Sequence, residues 1–284
     1  MMGMTRTFIL LAALTAVFLV IGQLLGGRGG LVMAAGFALV MNFGAYWFSD
    51  KIVLKLYKAR EVDANTAPEF YRIVEALAKQ ANIPMPKTYI IPTDAPNAFA
   101  TGRNPQHAAV AATEGILKLL NNEELTGVMA HEISHVINHD TLISTISATL
   151  AGAIGMLANM AQMAMIFGNR QQQQGNALAS ILMMILAPIA AALIQFAVSR
   201  TREYAADKSG AQLCGHPQWL ASALQKLEQG NIQHPMPASE QHPTSAHLFI
   251  VNPLTTSKVA NLFSTHPPLE ERVRRLMSME NQTK

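Results

Sequence analysis

Charge is what this sequence has least of. Asp, Glu, Lys and Arg make up 14% of its 284 residues against 50% hydrophobic ones, about half the charged share of an ordinary soluble domain. A deficit of that size points to surface that faces lipid. Cysteine is almost absent too: Cys214 stands alone, so no internal disulfide can form, which fits a reducing compartment. The 21 Lys and Arg leave a formal charge of +3, but they are scattered and form no basic stripe, so no nucleic-acid partner is expected. No internal repeat is visible.

Long uncharged runs are what the chain has instead. Phe8–Gly27 and Gly29–Ser49 each reach the roughly 20 residues a helix needs to cross a bilayer, and only Arg28 separates them. The first run lacks a small-x-small cleavage site before a hydrophilic region, so an uncleaved hairpin is preferred to a signal peptide. Thr141–Asn169 and Gln171–Ser199 flank Arg170 in the same way, with Gln171–Gln174 supplying the turn. Pro188 falls inside the fourth run, where a membrane helix tolerates a kink. The flanking basic residues set the orientation. Lys51, Lys55, Lys58 and Arg60 follow the second run, and Arg200 and Arg202 the fourth, which places both termini and the segments 50–140 and 200–284 in the cytosol.

Those two segments must then form one domain. Pro68–Ala81 has apolar residues at helical spacing. Lys87–Ile91, Ala98–Thr101 and Ala108–Thr113 read as a small sheet. A helix begins near Asn121, which with Glu124 forms a capping box. Gly230–Asn261, rich in Pro, His and polar residues, reads as a long surface loop or flap.

His131-Glu132-Ile133-Ser134-His135 is an H-E-x-x-H sequence. On a helix it sets two imidazoles one turn apart on one face, the arrangement a tetrahedral zinc requires, with Glu132 beside them as general base. A catalytic zinc needs a third protein ligand and one open position. His139 lies two turns along the helix and about 80° around it, too far for the same ion. Glu203 in Thr201-Arg202-Glu203-Tyr204-Ala205-Ala206-Asp207 returns to the same membrane face after the fourth run and is the better candidate. Asp207, one turn further, can accept the outer N–H of a ligand histidine.

Taken in order, two spans, H-E-x-x-H, two more spans, the Glu203–Asp207 motif and Ser264-Thr265-His266-Pro267-Pro268 resemble the HtpX family of bacterial heat-shock membrane metalloproteases. These are gluzincins related to the CAAX prenyl proteases and to mitochondrial inner-membrane quality-control proteases. The resemblance implies one Zn2+ per chain, a cytosolic active site in the bacterial inner membrane, and misfolded or damaged membrane proteins as substrates under stress. It also implies that Asn97 and Ala98 hydrogen-bond an extended peptide by strand addition, with an ordinary sheet segment as an equal alternative, and that His266, supported by Arg272, stabilises the oxyanion. A structural cap on a last helix, Pro267–Met279, is an equal alternative for His266.

The expected fold is therefore a mostly α membrane protein carrying an α+β gluzincin-type catalytic domain, with four transmembrane helices and a small β-sheet. Residues 1–49 form the first hairpin, 50–140 the first catalytic part, 141–199 the second hairpin and 200–284 the second catalytic part. Self-cleavage is expected of such a domain. His107, His216, His234, His242 and His247 have no partner at ligand spacing and read as ordinary polar residues. Two rivals remain. An intramembrane protease would bury the motif in a span, but Glu123, Glu124, His139 and Asp140 surround it. A metal-binding membrane scaffold would leave Glu132 without a role.

Overall fold

A computed structural model of the chain describes residues 2–167, 189, 199–253 and 267–283. It begins with α1 (Met2–Leu56), two helical arms broken at Gly26 and Gly27. Gly27 has φ +54°, a conformation that costs glycine nothing, and it lets the arms fold back antiparallel. Asn42 Nδ2 donates to Thr15 Oγ1 at 2.8 Å, Phe18 meets Phe37 edge-on at 5.3 Å, and Gly22 sits directly against Gly30. A crossing of small residues with one interhelical hydrogen bond is how helices associate where water supplies no driving force. Phe8, Ile9, Val32, Met33, Leu39, Val40 and Phe43 are turned outward. The second arm, Gly26–Leu56, is long and apolar enough to cross a membrane, and Thr7–Gln23 and Thr141–Ile154 are shorter apolar helices.

The sheet that follows is small and mixed. Its strands are β1 (Arg60–Val62), β2 (Lys87–Ile91), β3 (Ala98–Gly102) and β4 (Ala108–Thr113), in the order β1-β2-β4-β3. β1 lies antiparallel to β2, β2 parallel to β4, and β3 antiparallel to β4 with Ala98 opposite Ala112. The three residues of β1 are too few to show an alternation, and the sequence reading omits them. β4 is wholly buried, because helices cover one face and Tyr57, Phe99 and Phe249 the other. Alanines on that strand let both layers come close.

Helices α2 (Pro68–Gln80), α3 (Glu114–Leu119) and α4 (Asn122–Ile137) pack around the sheet. The capping box is present as expected: Asn121 Oδ1 accepts from the Glu124 N–H at 2.8 Å, and the Glu124 carboxylate accepts from the Asn121 N–H at 3.1 Å. α4 is the central helix, with Val128, Met129, Ala130 and Ile133 fully buried. α5 (Thr141–Phe167) follows three residues later and packs Leu142, Ile143, Ile146 and Leu150 against Leu10, Leu11, Leu14 and Ala45 of α1. The fourth expected span falls outside the described residues. The chain resumes with α6 (Arg200–Cys214) and α7 (Pro217–Gln233).

From Gly230 onward the chain is not the expected surface loop. Up to Pro253 the segment is folded and packed: α7 runs to Gln233, α8 covers Pro237–Gln241, and a 3-10 turn covers Pro243–Leu248. Met236, Ser239, Ser245, Ala246, Leu248, Phe249 and Ile250 are buried. Composition misled because the segment's apolar residues follow neither helical nor strand spacing, so periodicity hides their burial. The last helix, α9, covers Leu269–Thr283.

Candidate metal centre

One turn of α4 separates His131 from His135, and both rings point to the face on which α6 packs. The helices approach closely because Gly210 of α6 has no side chain; a Cβ there would come within 2.8 Å of the His131 backbone nitrogen. That contact brings Glu203 over the two rings. His131 Nε2 and His135 Nε2 are 3.2 Å apart, His131 Nε2 lies 3.8 Å from Glu203 Oε2, and His135 Nε2 lies 3.5 Å from Glu203 Oε1. Tetrahedral bonds of about 2.0–2.1 Å place ligand atoms roughly 3.3–3.4 Å apart. The three side chains fit one ion, and they are the three that sequence spacing selects.

Each imidazole is held from behind. His131 Nδ1 lies 3.0 Å from Asp207 Oδ1, as the spacing of Glu203 and Asp207 suggests. Asp207 is in turn gripped by Arg272, whose Nε and Nη2 donate to its two oxygens at 2.9 and 2.7 Å. Burial raises the Asp207 carboxyl, but the adjoining Arg272 charge outweighs it and holds the group down at about 2. His135 Nδ1 meets Asp140 Oδ2 at 3.4 Å, and Arg202 Nε stands 3.8 Å from the other Asp140 oxygen. The sequence reading missed this role for Asp140. The signal was its place just past the helix end, where the chain turns back through His139 at φ +57°.

Glu132 is buried beside the group, where it faces the backbone N–H of Ala100. Burial is the main force raising its carboxyl to about 7; His135 opposes the shift and the Glu203 charge adds to it. A base poised near neutral pH suits proton transfer. Burial alone would lower His135, yet the Asp140 hydrogen bond and the Glu203 and Glu132 charges raise it to about 9. His131 moves the other way, lowered chiefly by burial.

A pH dependence follows. Below about 9 the metal-free site holds a proton on His135 that an arriving cation must displace. Metal affinity is therefore expected to rise by about tenfold per pH unit between pH 6 and 8 from this proton alone. Calorimetric titration in buffers of different ionisation enthalpy counts the released proton, and an affinity flat with pH would contradict the reading.

The other expected site residues fare differently. Asn97 is fully buried; its Nδ2 donates to the Val251 carbonyl at 2.7 Å, and its backbone faces β4. The Ala98 carbonyl does face the cleft, but it accepts from the Ile250 N–H at 3.1 Å. Arg272 is buried with its guanidinium on Asp207 and on the Ile250 carbonyl, so it stands behind the metal group and does not reach into the cleft as an oxyanion partner would. His266 lies outside the described residues. His247, read as an ordinary polar residue, lines the cleft with Ser144, Leu248, Phe249 and Ile250. It stands more than forty residues from Glu203 in the chain, which no spacing rule spans.

The model of peptidase family M48 matches residues 64–280. Protease HtpX homolog of Methylibium petroleiphilum is 57% identical over 281 residues, covering 98% of each chain. The protein of the same name from Paraburkholderia phytofirmans is 56% identical with the same coverage. Among solved structures, Ste24p of S. mikatae matches with a TM-score of 0.50 and 19% identity, over 96% of this chain and 64% of that one. The chain thus spans somewhat less than two thirds of that protein, and the likeness concerns the fold.

Proposed function

From the premise that the chain belongs to peptidase family M48, and is a metalloprotease, we propose that it is a zinc endopeptidase anchored in the bacterial inner membrane, cutting misfolded or damaged membrane proteins on the cytosolic side. The observation that carries the reading is the convergence of His131, His135 and Glu203 on one point beside the buried Glu132.

The three side chains would hold one Zn2+ per chain. Zinc so held supplies Lewis acidity, polarising a peptide carbonyl and making water acidic enough to attack near neutral pH. The chain's residues do the rest. The Glu132 carboxylate takes the proton of the attacking water on an oxygen and later delivers it to the leaving amine. Asp207, braced by Arg272, fixes His131 with Nε2 turned to the ion, and Asp140 does the same for His135. The outer edge of β3, where Ala98 and Ala100 turn their backbones to the cleft, would take the substrate chain as an added strand. His266 keeps the oxyanion role that the family resemblance gives it.

Four spans within 1–49 and 141–199 would anchor two cytosolic parts, 50–140 and 200–284. The apolar outer face of α1 and the start of α5 directly after the metal group support this arrangement. Trp47 near the end of the second arm stacks on Arg103 at 4.7 Å, an aromatic and a cation placed as at a headgroup layer. The site would then work at the cytosolic mouth of the spans, on loops and tails that emerge there.

The purified full-length protein in detergent is expected to hydrolyse casein and, over hours, other copies of itself. A chelator stops both reactions and added zinc restores them. Hydrolysis that survives exhaustive chelation, or none with zinc bound, would overturn the proposal.

A further inference from the structure

Backbone direction alternates along a strand, and in β3 it decides which groups a substrate could meet. The Asn97 N–H and carbonyl are used by Thr113 of β4, at 2.9 and 3.0 Å, so Ala98 and Ala100 present theirs to the cleft. The Ala100 N–H faces the Glu132 carboxylate. The Ala98 carbonyl is taken by Ile250.

Ile250 belongs to a segment fastened at several points around the cleft. Arg272 Nη1 donates to the Ile250 carbonyl at 2.9 Å, and Asn97 Nδ2 holds Val251. Upstream, Ser245 Oγ lies 2.6 Å from the Tyr57 hydroxyl and His247 Nε2 lies 3.2 Å from the Ser144 carbonyl. Phe249 is fully buried between Tyr57 and Phe99 at ring distances of 4.9 and 5.2 Å. The space left between this segment and the metal group is about 30 Å³. That admits a water or two, whereas clefts that hold drug-sized ligands measure roughly 300–1,000 Å³.

We propose that residues 243–252 are an autoinhibitory strap: Ile250 occupies the acceptor on β3 that a substrate strand needs, and peptide enters only when the strap leaves. The proposal rests on the proteolytic reading and adds a gate to it. Exchange is feasible because an entering strand offers Ala98 the same N–H donor that Ile250 withdraws, so no buried carbonyl is left unpaired. The strap also reports to the metal group. Arg272 holds the Ile250 carbonyl and the Asp207 carboxylate at once, and Asp207 holds His131. Lifting the strap removes one of the contacts that orient that arginine.

A tether tests it. A Cβ on Gly152 of α5 would stand 3.6 Å from Thr244 Oγ1, so Gly152→Cys with Thr244→Cys, in a full-length Cys214→Ser background, can join strap to helix by a disulfide. The oxidised protein is expected to lose at least about tenfold in kcat/KM on a quenched apolar peptide. A phosphine reductant should return it to within about twofold of the Cys214→Ser parent. Equal rates oxidised and reduced would overturn the strap. A Cys214→Ser parent that cuts nothing would instead sink the proteolytic reading.

Hydrogen exchange gives a second arm without cysteines. In Glu132→Gln protein saturated with the same peptide, amides of Phe249–Val251 should exchange at least about tenfold faster than without it, while β4 is unchanged. Unchanged protection with peptide bound would equally refute the gate.

Discussion

Replacing Glu132 by Gln abolishes peptide hydrolysis, lowering kcat/KM by a factor of about 10³ within the range general bases supply, while bound metal stays at parental level. Glutamine has nearly the same shape and can still face the Ala100 N–H as the carboxylate does, so the fold and the three metal ligands are undisturbed. What it lacks is a site for the proton. The glutamate is buried and raised to about 7, which suits it to accept a proton and give it up again. Activity within tenfold of the parent would remove Glu132 from the reaction. Lost activity accompanied by lost metal would turn it into a structural residue.

The second large effect concerns stability. Arg272 and Asp207 form a bidentate pair at 2.7 and 2.9 Å in the interior, with Arg272 1% exposed and Asp207 3% exposed. Arg272→Leu leaves the Asp207 carboxylate buried without its partner, which costs on the order of 3–5 kcal/mol. The melting temperature should fall by on the order of 10 °C. Metal affinity should fall by about 10–100-fold as His131 loses its brace. The sign with pH is fixed by Asp207. Its folded pKa, about 2, is depressed below the ordinary value near 3.9, so the pair's contribution is present above about 4 and is lost as pH falls toward 2. In Arg272→Leu the sign should reverse, because burial then raises the Asp207 carboxyl and protonating it in acid relieves the unpaired charge. The double variant Asp207→Leu/Arg272→Leu should regain part of the stability, because no unpaired charge remains. A double variant less stable than the single one would show that Asp207 supports the core through His131 and not only through the arginine.

Local chemistry made part of this structure legible in the sequence. The H-E-x-x-H spacing needs only one helical turn, the capping box only four residues, and the strands only short runs bounded by Pro, Asn and Gly; helix α4, its cap and strands β2, β3 and β4 stand within a residue of where the sequence puts them. Glu203 was reachable because a catalytic metal demands a third ligand and the expected spans bring few carboxylates back to the face of His131 and His135. Contacts between distant segments were not legible. Asn97 binds Val251 and Tyr57 binds Ser245 through pairings that no periodicity records. The substrate role given to Asn97 overlooked that its backbone faces the neighbouring strand. Arg272 was drawn into the cleft by its closeness to His266 in sequence, while its geometry follows Asp207, 65 residues away. Pro, His and Ser spell a loop or flap, whereas the pocket of Tyr57 and Phe99 around Phe249 shows that the segment is held.

X-ray absorption at the zinc edge of the full-length protein, beside its Glu203→Ala variant, tests the central claim most directly. The geometry of His131, His135 and Glu203 predicts one zinc per chain with two imidazole nitrogens and carboxylate or water oxygens at about 2.0–2.2 Å. In Glu203→Ala the ion should be lost or its oxygen shell depleted. A sulfur neighbour at about 2.3 Å, or a spectrum that the variant leaves unchanged, would contradict it.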